Sequence, residues 1–88
     1  MTREQIENLL ESVDVEIMLA DGLDDAFLGI TDETTPRAVY SRRRIIEILM
    51  NRDKMGYHEA IEYYEYNILG SYIGDQTPIY IQDLEELS

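Results

Sequence analysis

Six of the seven Lys and Arg side chains lie between residues 37 and 54. Residues 1–36 hold one Arg against ten acids, and residues 37–54 hold six basic groups against two acids. Residues 55–88 hold seven acids and no Lys or Arg. The three stretches therefore carry −9, +4 and −7, which together make the −12 of the whole chain. Charge is therefore spread unevenly along a strongly acidic chain. The same acidic field repels phosphates, so direct nucleic-acid binding is not expected unless Arg42, Arg43 and Arg44 stand clear of it.

Eighty-eight residues with 44% apolar content suit a single domain spanning 1–88, and two separate cores would each be too small. The apolar share is too high for a disordered acidic tail. With no Cys, disulfide scaffolds, thiolate zinc sites and Cys nucleophiles are excluded. In the C-terminal half the longest run free of charge is Tyr66 to Gly74, far short of the roughly 20 residues a spanning helix needs. The first residues mix acids with isolated apolar groups and offer no signal-peptide core. A soluble, cytoplasmic protein without membrane contact is expected.

The pattern predicts an α+β domain. Ile6, Leu10 and Val13 recur at helical spacing over Thr2 to Val13, with Thr2 as N-cap and Gln5 completing a capping box. Val15, Ile17 and Leu19 alternate with their neighbours, which predicts a strand over Val15 to Ala20. Asp21-Gly22 then turns the chain into a second strand, Ala26 to Thr31, as a hairpin. A third extended piece follows Pro36, from Arg37 to Tyr40, and Ser41 caps a helix from Arg42 to about Arg52. Three arginines at a helix start oppose the helix dipole, a conflict that signals either function or salt bridges. A second helix runs from about Tyr57 to Tyr72, with Tyr57, Ile61, Tyr64, Ile68 and Tyr72 as its core stripe. Ile79 to Ile81 forms a last strand, and Asp83 to Ser88 an acidic tail. The expected sheet is short and mainly antiparallel, three N-terminal strands plus the C-terminal one, packed against the two consecutive helices.

Several of these stretches resemble a widespread group of small acidic proteins encoded by bacteriophages and bacterial genomes. The resemblance is carried by residues 21–31, by Arg44 to Met50, by Tyr57 to Asn67 and by Gly74 to Ile81. It covers roughly residues 15–81. It implies a phage or prophage context and transfers no catalytic residue, because no biochemical activity is established for the group.

Candidate chemistry is sparse. Asp21, Asp24 and Asp25 crowd one turn, and oxygen-rich turns suit Ca²⁺ or Mg²⁺. The calcium-loop spacing is missing, so an exposed hairpin turn is the favoured reading. Glu59, Glu62 and Glu65 recur at steps of three beside the single histidine, His58. Carboxylates in such a row are usually a solvated helix face, and His-Glu-x-x-His spacing is absent. Asn67 falls on or near the apolar stripe, where its amide needs partners such as the loop from Gly74 to Thr77. Tyr63 and Tyr66 interleave with Glu62 and Glu65, a composition suited to protein docking. No Ser–His–acid relay or glycine-rich phosphate loop is present.

These readings yield no catalytic residue, no metal ligand and no cofactor. The leading expectation is a non-catalytic interaction protein, with Glu59, Glu62, Tyr63, Glu65, Tyr66 and Asn67 forming an acidic, aromatic surface. That surface would bind a basic host or phage protein, its carboxylates standing in for nucleic-acid phosphates. The alternative is a self-associating structural or regulatory module, a homodimer covering the wide apolar faces of the two consecutive helices.

Overall fold

Thr2 starts the first helix, α1 (Arg3–Ser12), by the predicted device. Its hydroxyl accepts the Gln5 N–H while the Gln5 side chain accepts the Thr2 N–H. In the computed structural model, which describes residues 1–71 and 73–84, a 3₁₀ turn at Asp24–Ala26 leads into β1 (Phe27–Ile30). Next come β2 (Ala38–Ser41), α2 (Arg42–Asn51), α3 (Tyr57–Tyr63), a π-helical turn (Tyr64–Leu69) that continues α3, and β3 (Ile79–Ile81). The expected helix end at Tyr72 and the tail beyond residue 84 lie outside the described residues.

The architecture is α+β with a small mixed sheet of three strands in the order β1-β2-β3. Strands β1 and β2 pair antiparallel, with Phe27 opposite Tyr40 and Ile30 opposite Ala38, and a bulge between Phe27 and Gly29. Strands β2 and β3 pair parallel, with Tyr40 opposite Tyr80. This corrects the expectation of a mainly antiparallel, four-stranded sheet. Two helices lie between β2 and β3, and a helical crossover is what lets the chain return in the same direction.

Val15 to Ala20 is extended but belongs to no strand, so the hairpin expected between it and Ala26 to Thr31 is replaced by the β1–β2 hairpin. The predicted alternation is real: Val15, Ile17 and Leu19 are half-buried, while Glu16 and Met18 face solvent. What differs is the hydrogen bonding. Gln76 Nε2 donates to the Glu16 carbonyl at 2.7 Å, the Ala20 N–H donates to the Tyr40 hydroxyl at 2.9 Å, and Arg3 Nη2 donates to the Ala20 carbonyl at 3.3 Å. Side chains satisfy the backbone that a neighbouring strand would otherwise have taken. Period two reports which side chains are buried and says nothing of the partner backbone.

The core gathers Ile6 and Leu10 of α1, Leu23 and Ala26, Phe27, Ala38 and Tyr40 of the sheet, Ile45, Ile46 and Leu49 of α2, and Ala60 and Tyr64. Helix α2 is central, packing on the 3₁₀ turn, on α3 and on β2. Aromatic rings link the strands: Tyr40 meets Phe27 edge-on at 5.7 Å and Tyr80 at 6.0 Å, and Tyr80 meets Tyr64 edge-on at 5.9 Å. Tyr57, expected on the core stripe, is exposed at the first position of α3, its ring edge-on to His58.

Ser41 joins three parts of the fold. Its side chain is fully buried, and its Oγ accepts the Arg44 N–H that opens α2. The same hydroxyl donates to the Asp83 carboxylate, each oxygen 2.8 Å away. Asp83 is therefore a half-buried acceptor tied back to the sheet. Ser41→Ala removes the cap, worth about 1 kcal/mol, and strips a hydrogen bond from a partly buried carboxylate, worth about 1–2 kcal/mol more. Urea denaturation should show the midpoint falling with an unchanged slope.

Candidate functional site

The six residues proposed as a binding surface sit on α3 and the π-helical turn that continues it. Glu59 lies in the first turn of α3, where its Oε1 accepts the Gly56 N–H at 3.4 Å. Glu62 and Tyr63 close α3, and Glu65, Tyr66 and Asn67 lie in the π-helical turn. All six face solvent, and Tyr66 is 82% exposed. Among the described residues no cation lies within ion-pair reach of Glu59, Glu62 or Glu65. A surface cavity of about 310 Å³ reaches this set at Asn67. The carboxylates and tyrosines thus form an open face, shaped for a broad partner and not for enclosing a small molecule.

The π-helical turn explains the one misplaced member. An α-helical winding would hold Asn67 near the stripe of Tyr64 and Ile68, but the wider turn leaves Tyr64 buried and Ile68 half-buried while Asn67 is exposed. Among the described residues its side chain makes no hydrogen bond to the following loop. Thr77 does that work: its Oγ1 accepts the Ile73 N–H at 2.9 Å and donates to the Gly74 carbonyl at 2.7 Å. Gly70 closes the turn, and a Cβ there would stand 3.3 Å from the Glu65 carbonyl oxygen. Turns of this class concentrate at functional sites, and this one holds three of the six candidate residues.

Burial raises the hydroxyl pKa of Tyr64, with Arg42 pulling the other way and Glu65 adding to the rise. The Arg42 guanidinium stands 5.6 Å above the Tyr64 ring, a cation–π contact that occupies one of the three arginines at the start of α2. Arg43 pairs with Glu47 and approaches Asp83 at 3.9 Å. Salt bridging and ring stacking therefore account for two of the three, while Arg44 faces a cleft.

That cleft, about 790 Å³, lies between the start of α1, the turn around Gly22 to Asp25 and the outer side of α2. Arg3, Arg43, Arg44 and Arg52 line it, four of the chain's seven cationic side chains. Arg3 donates to Asp24 at 3.1 Å and to Asp21 at 3.3 Å. Burial works against the Arg3 charge, but Asp24 and Asp21 outweigh it and hold its pKa above the usual value. Gly22 takes φ +77°, the conformation its Asp-Gly turn demands, and its carbonyl accepts from Arg52 Nη1 at 2.6 Å. Asp21 and Asp24 thus pair with Arg3 and Asp25 with the Met1 ammonium at 3.6 Å, and among the described residues no three His, Asp or Glu groups come together as metal ligands. The sequence shows a basic middle segment but not that Arg3, from the acidic flank, joins it across the fold.

No protein-family profile, curated protein or solved structure matches the chain. Function therefore has to be argued from the two surfaces themselves. Among the described residues no helix is long and apolar enough to cross a membrane.

Proposed function

We propose that the chain is a non-catalytic interaction protein that docks a basic host or phage protein on the face formed by Glu59, Glu62, Tyr63, Glu65, Tyr66 and Asn67. The observation that carries this reading is that Glu59, Glu62 and Glu65 stand in solvent with no cation in ion-pair reach among the described residues, beside a tyrosine that is 82% exposed. Three residues of helix rise about 4.5 Å, comparable with the roughly 3.4 Å of axis per phosphate on one DNA strand. The row can therefore present charge at a density near that of a nucleic-acid backbone. Exposed Tyr63 and Tyr66 supply apolar contact area with little side-chain entropy to lose. The setting is the cytoplasm, that of the host if the chain is phage-encoded.

The test separates this face from net charge alone. Glu59→Gln, Glu62→Gln and Glu65→Gln together remove three charges, and so do Glu4→Gln, Glu7→Gln and Glu11→Gln on exposed positions of α1. A partner captured by the wild type should be held about tenfold or more weakly by the first triple variant and little changed by the second. Equal losses would reduce the acidic face to a solubility feature. A second reading, self-association, is favoured by the sheet: β1 and β3 are both open edges, with Leu28 and Ile81 each 40% exposed. Sedimentation of a monomer at high concentration would remove it.

A further inference from the structure

We propose that the arginine-lined cleft between α1, the Gly22 turn and α2 is a binding site for a small multivalent oxyanion, of the class that includes pyrophosphate, phosphate esters and polycarboxylates. The site is separate from the acidic, tyrosine-bearing face and stands or falls without it. Its volume, about 790 Å³, lies within the range of about 300–1,000 Å³ typical of small-ligand sites. Four guanidinium groups and the Met1 ammonium line it with three carboxylates, Asp24, Asp25 and Glu47, and Asp21 and Asp53 pair with Arg3 and Arg52 from outside the lining, so the cleft with its partners is close to neutral on a chain of −12. Concentrating cations in one concavity of so acidic a protein is the opposite of what dispersal for solubility produces.

The carboxylates already present act on particular arginines. Asp21 and Asp24 fix Arg3, Glu47 pairs with Arg43, and Asp53 accepts from Arg52 Nε at 3.0 Å. Arg44 differs. It is half-buried, and among the described residues no acid lies within ion-pair reach of it. Its five N–H donors, a planar fork matched to two oxygens of one anion, remain available to a ligand. Asn51, two turns along the same face of α2 from Arg44 at i+7, lines the same cleft and adds an amide donor. Donors predominate, so the complementary ligand is rich in acceptors.

Ligand size follows from the rest of the molecule. A second copy of the chain would bring −12 to a host of −12, whereas a dianion brings about one sixth of that charge and proportionally less repulsion. The repulsion on a small ion is also screened within about 8 Å at physiological salt. Among the described residues the lining has no aromatic ring, and Ile48 is the one large aliphatic side chain on its α2 wall. Nothing there stacks a nucleobase, so recognition centres on the charged oxyanion itself.

Backbone amide chemical shifts of the full chain, titrated at low ionic strength with pyrophosphate and separately with citrate, test the site. Saturable shifts centred on Gly22, Arg44, Asn51 and Arg52 are expected. Arg44→Gln should weaken binding about tenfold or more, Arg44→Lys by less, and Lys54→Gln, outside the cleft, by less than about twofold. Response to pyrophosphate alone assigns a phosphate ligand, and response to citrate alone a polycarboxylate. The same spectra report whether each variant is folded, and Arg44→Lys keeps the test open should Arg44→Gln not fold. Absence of saturation with either ion, shifts centred elsewhere, or equal weakening in the Arg44 and Lys54 variants would overturn the proposal.

Discussion

Tyr40→Ala is expected to destabilise the fold severely, by about 3–5 kcal/mol. Tyr40 is fully buried in β2, the central strand, between Phe27 and Tyr80. Its hydroxyl also accepts the N–H of Ala20, fixing the extended segment that no strand covers. Removing a large buried aromatic costs about 3–5 kcal/mol. A domain of this length has a total stability on the order of 4–13 kcal/mol, so the loss is comparable with the lower half of that range. Tyr40→Phe separates the two contributions: the ring stays, the Ala20 N–H loses its acceptor, and about 1–3 kcal/mol should go. Denaturant titration of the three proteins gives the order wild type, Tyr40→Phe, Tyr40→Ala. A Tyr40→Phe protein as stable as the wild type would show that the extended segment does not depend on the hydroxyl.

Alkaline pH should unfold the protein through the same aromatic cluster. Burial raises the pKa of Tyr40, Tyr64 and Tyr80 above the ordinary 10.0. For Tyr40 the hydrogen bond from Ala20 works against that rise without reversing it, and for Tyr80 the two neighbouring tyrosines add to it. An acid whose pKa is raised by folding holds its proton more tightly in the native state. The stability it confers is complete below the unfolded value near 10 and is lost as pH climbs toward the native value. Three such groups, with Tyr80 against both Tyr40 and Tyr64, should lose their protons together with the fold. Far-UV circular dichroism and tyrosinate absorbance followed from neutral pH past about 10 should therefore include a shared transition. Tyr80→Phe, which keeps the ring and removes one ionisable group, should move that transition to higher pH. Full retention of structure well above pH 10, with all tyrosines ionised, would contradict this account.

Local signals in the sequence translated directly into structure. The Thr2–Gln5 capping box, the Ser41 cap and the Asp21-Gly22 turn all form, because each involves groups only a few residues apart. The strands around Phe27 to Ile30, Ala38 to Ser41 and Ile79 to Ile81 were also legible from β-prone runs beside Gly and Pro. Three features were not. Strand direction at β3 depends on the path of the intervening helices. The extended run from Val15 to Ala20 carries a strand's alternation, but its backbone is satisfied by Gln76, Tyr40 and Arg3 from distant positions. The π-helical turn shares its apolar spacing with an ordinary helix, so only the packed structure shows that Asn67 turns outward. Exposure of the acid–tyrosine row was readable from its spacing, whereas the arginine cleft exists only once Arg3 is folded against α2.

The parallel pairing of Tyr40 with Tyr80 also governs how the polypeptide fares while it is being made. Ribosomes add about 5–20 residues per second, so β2 leaves the exit tunnel about 2–8 s before its neighbour β3 does. During that interval the free flank of β2 is open to any extended strand nearby, including one from another growing chain. Slower translation across α2 and α3 would lengthen that exposure and increase the need for a chaperone, with no change in the finished protein.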